Sequence, residues 1–189
     1  MNDSILSRLR NETAEAHASL EAMAQIESCM TDETKYRNLL RQFYGYYAPM
    51  ETALEARLNG DGEALGLAER RKASWIASDL DVLGLDAKTV AISSDLPDLK
   101  EIGHAYGALY VLEGSTLGGR TISKMMENSS IPETARRFFN GYEGDTGKKW
   151  KEFCAALEQY VATHGQADEV IAGANETFAG MGRWMRQSA

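Results

Sequence analysis

The sequence has few of the residues that break or brace a chain: three prolines and two cysteines among 189 residues. So few prolines favour long helices. Cys29 and Cys154 lie far apart and form no C-x-x-C pattern, which argues against a disulfide scaffold. Basic residues are also in short supply, with 20 Lys and Arg against 28 Asp and Glu, a net charge of −8. An acidic chain is a poor partner for nucleic acid or an anionic membrane surface, and an anionic ligand must find a local basic patch. No apolar run approaches the ~20 residues that span a bilayer. The N-terminus carries no signal-like apolar segment, so the reducing cytoplasm is the expected compartment. Alternating strand patterns, internal repeats and low-complexity linkers are missing too. These absences leave a single domain over residues 1–189, with one sizeable core.

What is present is helical periodicity. Leu6, Leu9, Thr13, Ala16, His17 and Leu20 fall on one stripe, predicting a helix over 3–27 with Asp3 or Ser4 as its cap. A second helix runs from a Thr31 or Asp32 cap to about residue 58, with Pro49 marking a kink or local irregularity. Residues 66–83 form a third, stopped by Gly84. A long fourth starts near Ser94 or Asp95, ahead of Pro97, and continues to about 128. A short helix after Pro132 and two more over 145–165 and 166–187 complete an all-α, single-domain bundle of about seven helices.

The fourth helix is unusual. "GHAYGALYVLEGSTLGG" holds five glycines in seventeen residues, each costing about 0.5–1 kcal/mol in a helix interior. At 100° per residue, Gly107, Gly114 and Gly118 lie ~40°, ~20° and ~60° from Gly103. Ser115 is beside this bare face and Gly119 falls off it. Two readings stay open: a close helix–helix seam, or a slot where a flat ligand lies on backbone. The cluster Gly114, Gly118, Gly119 also predicts a kink. A slot needs a second wall, and His17 is a candidate, either as a hydrogen-bonded core residue or as a metal ligand. His104 is displaced from the bare face, and His164 stands at a helix end beside Gly165. No Glu-x-x-His pair or Cys/His cluster suggests a zinc or di-iron site.

"TAEAHASLE", "YGYYAPME", "GALYVLEGSTLGGR" and "ANETFAGM" resemble, in this order, the successive motifs of heme oxygenases, and most of all the bacterial biliverdin-producing enzymes that serve bacteriophytochromes. The likeness runs from about residue 8 to 185. It implies an all-α fold in which heme b is sandwiched between the first helix and a kinked, Gly-rich distal helix. It implies that His17 is the proximal iron ligand and that Gly114 and Gly118, with Gly119 beside them, give room to heme and oxygen. Ser115 stands where many relatives carry an Asp that organises distal water, and Tyr47 matches a Tyr of the distal network. Heme carries two propionates, and the resemblance assigns Arg10 and Lys124 to them; Arg120 is a further candidate, or the partner of Glu113 or Glu127. Phe178 and Met185 match apolar positions facing the pocket. "KKWKEFC" offers three lysines without a clean match. The implied reaction takes heme, O2 and electrons from an external reductase or ferredoxin-type donor protein to biliverdin, carbon monoxide and ferrous iron. A non-catalytic heme carrier of the same fold and a helical interaction module without heme remain as alternatives.

Overall fold

The structure is a computed structural model that describes residues 4–58, 60 and 65–188, the side chain of residue 120 excepted. The expected caps at Asp3 and the role of the Arg120 side chain lie outside the described residues. Among those described, every regular element is helical, and seven helices have eight residues or more.

The first predicted helix is in fact three: α1 (Ile5–Glu12), α2 (Ala14–Ala24) and α3 (Ile26–Cys29). Ser4 caps α1 by accepting from the Ser7 N–H. The chain bends at Thr13, whose hydroxyl donates to the Leu9 carbonyl at 2.7 Å. Such back-bonding by a β-branched residue competes with the helix ladder and turns its axis. Gln25 then breaks the helix outright in the left-handed region, φ +46°. The apolar stripe buries Ile5, Leu9 and Thr13, but α2 buries only Ala24, because its inner face borders a cavity.

α4 (Glu33–Arg57) is capped by Asp32 and runs unbroken through Pro49. Proline has no N–H to give residue 45 four positions back. The freed Gly45 carbonyl instead accepts from the Ser93 N–H at 2.8 Å. Gly45 is also the contact point itself: a Cβ there would meet the Ala91 carbonyl and the Trp184 ring, each at 2.5 Å. The expected irregularity is therefore a docking site for the 90–95 segment.

Residues 66–83 divide into a 3-10 turn, Leu67–Arg70, and α5 (Ala73–Val82), ending as expected at Gly84 with φ +75°. The distal helix starts later than predicted. α6 (Ile102–Gly114) begins after Glu101, because the 94–101 segment is tied elsewhere: Asp95 takes Arg183 at 2.6 Å instead of capping a helix. A 3-10 turn, Ser115–Gly118, leads into α7 (Gly119–Met125), which is the predicted kink. After α8 (Arg137–Asn140) come α9 (Thr146–His164) and α10 (Ala167–Gln187). α10 packs along α6. The stacked core includes Leu40, Met50, Leu54, Ile76, Leu80 and Phe153, all buried.

Asp79 anchors the short α8. It is fully buried and accepts from the N–H groups of Arg137 and Phe138, each at 2.8 Å. Burial pushes its carboxyl up to about 6 even so. An unfolded Asp titrates near about 3.9. Between those values the folded protein holds a proton the unfolded chain has released, so stability falls as pH rises from about 4 to 6 and is flat above. That difference, about two pH units, corresponds to about 3 kcal/mol. As pH falls from 7 to 4, the stability gap between wild type and Asp79→Asn should move in favour of wild type by up to that amount. Chemical denaturation at the two pH values checks it, and a gap independent of pH removes Asp79 as a titrating anchor.

Candidate functional site

A cavity of about 460 Å³ lies between α1–α2 and the kinked distal helix. That is within the range of about 300–1,000 Å³ usual for small-molecule sites. Its lining is mainly apolar, with Phe43, Phe138, Phe139, Trp150, Phe178 and Met181 among the contributors. α1 and α2 bring Arg10, Thr13 and His17 to it; the distal helix brings Tyr110, Gly114, Ser115 and Gly118.

His17 is not a core residue, since its side chain is 56% exposed, facing the open cavity. Its ring meets Phe178 edge-on, centroids 5.7 Å apart. Nδ1 lies 3.5 Å from Glu21 Oε2, one turn on. A carboxylate on one imidazole nitrogen fixes the tautomer and leaves the other free to bind a metal. Among the described residues, Nε2 has no hydrogen-bond partner and no cluster of three or more His, Cys, Asp or Glu could hold a bare metal ion. A single available imidazole suits a metal that brings its other ligands with it.

The glycine row does two jobs. Gly103 and Gly107 form a seam with α10, where an added Cβ at Gly107 would meet the Val170 carbonyl at 2.0 Å and the Ala174 nitrogen at 2.6 Å. Gly173 answers from α10, where a Cβ would meet the His104 carbonyl at 2.4 Å. Gly114 and Gly118 border the cavity instead, where an added Cβ finds only Trp150 at 4.0 Å and Ile122 Cδ1 at 3.4 Å, respectively. Both have ordinary right-handed helical dihedrals, φ −57° and −74°. Any residue could adopt that backbone, so the missing side chain, and not conformational freedom, distinguishes these positions. One face thus serves both readings, seam in its first half and slot in its second.

Three expected site residues fall elsewhere. Gly119 does not line the cavity: it is buried against α8, where a Cβ would lie 2.5 Å from the Phe139 carbonyl. Lys124 is exposed and away from the lining, since Ile122 faces the cavity and residues two apart do not share a helix face. Met185 is core, and Met181, one turn earlier, borders the cavity. Arg10 and Phe178 line it.

Tyr47 is buried at the cavity wall, and desolvation raises its hydroxyl pKa well above that of a free tyrosine, offset in part by the nearby Ser115 hydroxyl. It therefore stays protonated. Ser115 itself donates to the Leu112 carbonyl at 2.7 Å. Glu113 pairs with Arg70 and Lys72. The sequence reading missed Glu21, which its i, i+4 spacing from His17 could have revealed. It also missed the aromatic lining from Tyr110, Trp150 and α8, for which no periodic signal exists.

Such a site, a mainly apolar cavity with one imidazole and a wall of bare backbone, is held in an all-helical fold. The heme oxygenase family matches residues 3–187, and the chain belongs to that family. It is 31% identical over 153 residues to a heme oxygenase of Xanthomonas campestris pv. campestris, covering 78% of this chain and 87% of that one. Heme oxygenase of Neisseria meningitidis, solved with NO and CO bound, has a similar fold: TM-score 0.81 at 20% identity, covering 99% of this chain and 92% of that one. Heme oxygenase-1 of the cyanobacterium Synechocystis, solved in complex with heme, gives 0.68 at 17% identity, covering 98% and 92%.

Proposed function

We propose that the chain, as a single domain over residues 1–189, cleaves heme b oxidatively to biliverdin, releasing carbon monoxide and ferrous iron. O2 and electrons from an external reductase or ferredoxin-type donor protein complete the reaction. The observation that carries this reading is the cavity with one available imidazole, His17, and a wall of bare backbone at Gly114 and Gly118. Two unpaired cysteines suit a cytoplasmic setting. Among the described residues no helix is long and apolar enough to cross a membrane.

Heme supplies the iron that activates O2 and the macrocycle that is opened. The protein's own part is positional. His17 would hold the iron, with Glu21 orienting its ring. The bare wall gives steric direction without placing a strong acid beside the reacting centre. Tyr47, kept protonated, and Ser115 hold water and move protons at their hydroxyls. Arg10, which lines the cavity, would pair with a propionate.

Hemin with a reductant and oxygen should give a bilin whose isomer is read by chromatography. A stable heme spectrum without product would mean a carrier, and no heme spectrum at all a plain helical module. Arg10→Ala should weaken hemin binding by about one to two decades, the worth of one charge-assisted hydrogen bond. A titration giving the wild-type dissociation constant and product isomer would take Arg10 out of the site.

A further inference from the structure

Glu113 precedes Gly114 but does not border the cavity; it is 1% exposed, inside the core. Its carboxylate receives Arg70 Nη1 and Lys72 Nζ, each at 2.5 Å, and the Tyr142 hydroxyl at 2.9 Å. Its carbonyl accepts the Thr116 hydroxyl at 2.8 Å. Lys72 is fully buried and its ammonium also donates to the Arg70 carbonyl at 2.9 Å. Arg70 continues to the Leu65 and Lys149 carbonyls at 2.7 and 3.2 Å. The backbone N–H of Lys72 donates to Glu51, one turn beyond Tyr47 on α4, at 2.5 Å. The 65–73 segment, α4, α6 and α9 are thus tied together where the distal helix tightens into its 3-10 turn.

Glu113 meets two buried cations, Arg70 and Lys72, while Glu51 is held by the backbone N–H groups of Lys72 and Ala73 and by the half-exposed Arg71 at 3.7 Å. A buried ion cluster is a poor source of stability, because well-packed apolar residues usually do as well or better. What it supplies is a fixed position, since charges in low dielectric tolerate few alternative arrangements. The position fixed here is that of Gly114, Ser115 and Gly118 against the cavity. Nothing in the heme reading assigns this cluster a part.

We propose that Glu113 is a positioning residue for heme cleavage: its anchored carboxylate sets the register of the tightened turn. Through that register it decides how the bare wall and the Ser115 hydroxyl stand against the macrocycle, and hence which edge is opened. The inference rests on the heme-cleaving function proposed above.

The test compares wild type with the double variant Glu113→Gln, Lys72→Met, which removes one charge of each sign and leaves the Arg70 guanidinium its hydrogen bonds to the Leu65 and Lys149 carbonyls. Three measurements are made on each: the apoprotein melt, the pH midpoint of the ferric heme spectrum after hemin loading, and the biliverdin isomer ratio. A positioning role predicts an isomer ratio changed by about threefold or more and a displaced pH midpoint in protein that is fully folded. A melting temperature that moves while the ratio and midpoint stay at wild-type values reduces the cluster to a structural part and overturns the proposal. Should the double variant not fold, Tyr142→Phe, which removes one hydrogen bond to the Glu113 carboxylate and no charge, is read the same way. Should wild type bind hemin without making bilin, the cleavage function fails, and the spectral midpoint still decides whether Glu113 governs the wall.

Discussion

His17→Ala should leave an apoprotein that melts like wild type yet binds hemin without its axial imidazole. The side chain is more than half exposed and its one polar contact, Glu21, is exposed as well. Surface substitutions of this kind stay within about ±0.5 kcal/mol, and Ala is the better helix former. Turnover should fall by more than about 100-fold, beyond the roughly 10–100-fold that an orienting partner is worth. Glu21→Gln should therefore be the milder change, keeping ligation while loosening the ring. The ferric and ferrous absorption spectra report ligation, and single-turnover bilin yield reports function. A His17→Ala spectrum and yield equal to wild type would show that another group binds the iron, and the assignment of His17 would be wrong.

Helix type and the bracketing stops were legible from periodicity and glycine. Gly84 and Gly165 end helices with φ +75° and +71°, and such residues announce themselves in any sequence. Breaks enforced by tertiary contacts were not. Nothing local shows that Asp95 will pair with Arg183 instead of capping a helix, or that Ser93 will satisfy the carbonyl freed by Pro49. The bend at Thr13 is similar: a β-branched residue in a periodic stripe reads as core until its hydroxyl is seen on Leu9.

The candidate site was legible in its residue types but not in its partition. An angular plot places Gly103, Gly107, Gly114 and Gly118 together because it assumes one straight helix. The helix axis changes at residues 115–118, and α10 covers only the first half of the face. Lys124 shows the same limit, since its spacing from Gly114 carries no information once the intervening turn is 3-10 and the helix resumes on a new axis. Glu113 was visible only as a charge within an apolar run. Its partners Arg70, Lys72 and Tyr142 are 43, 41 and 29 residues distant, separations that no local pattern encodes.

That partition gives the second large effect, through a matched pair of glycine substitutions. Gly107→Ala adds one methyl at the seam, where the Val170 carbonyl and the Ala174 nitrogen are both backbone and cannot rotate away. α6 and α10 must separate, at a cost of about 1–3 kcal/mol or more. In a chain of this size that lowers Tm by about 2–4 °C per kcal/mol. Gly118→Leu is the larger change in volume and should be the smaller in stability. Its backbone is already helical at φ −74° and ψ −11°. The nearest atom to an added Cβ is the flexible end of Ile122 at 3.4 Å, and Leu improves helix propensity by ~0.8 kcal/mol. The apoprotein should melt at or slightly above the wild-type temperature. The isobutyl group then stands in the cavity, so hemin affinity should fall at least about tenfold, equivalent to 1.4 kcal/mol, and bilin yield with it. Apoprotein melts, hemin titration and single-turnover yield on both variants make the comparison. A destabilised Gly118→Leu apoprotein that still turns over heme in its folded fraction would mean that the seam extends the whole length of the distal helix and that no slot exists. A Gly107→Ala protein as stable as wild type would mean that α6 does not lie on α10 as closely as the glycines indicate.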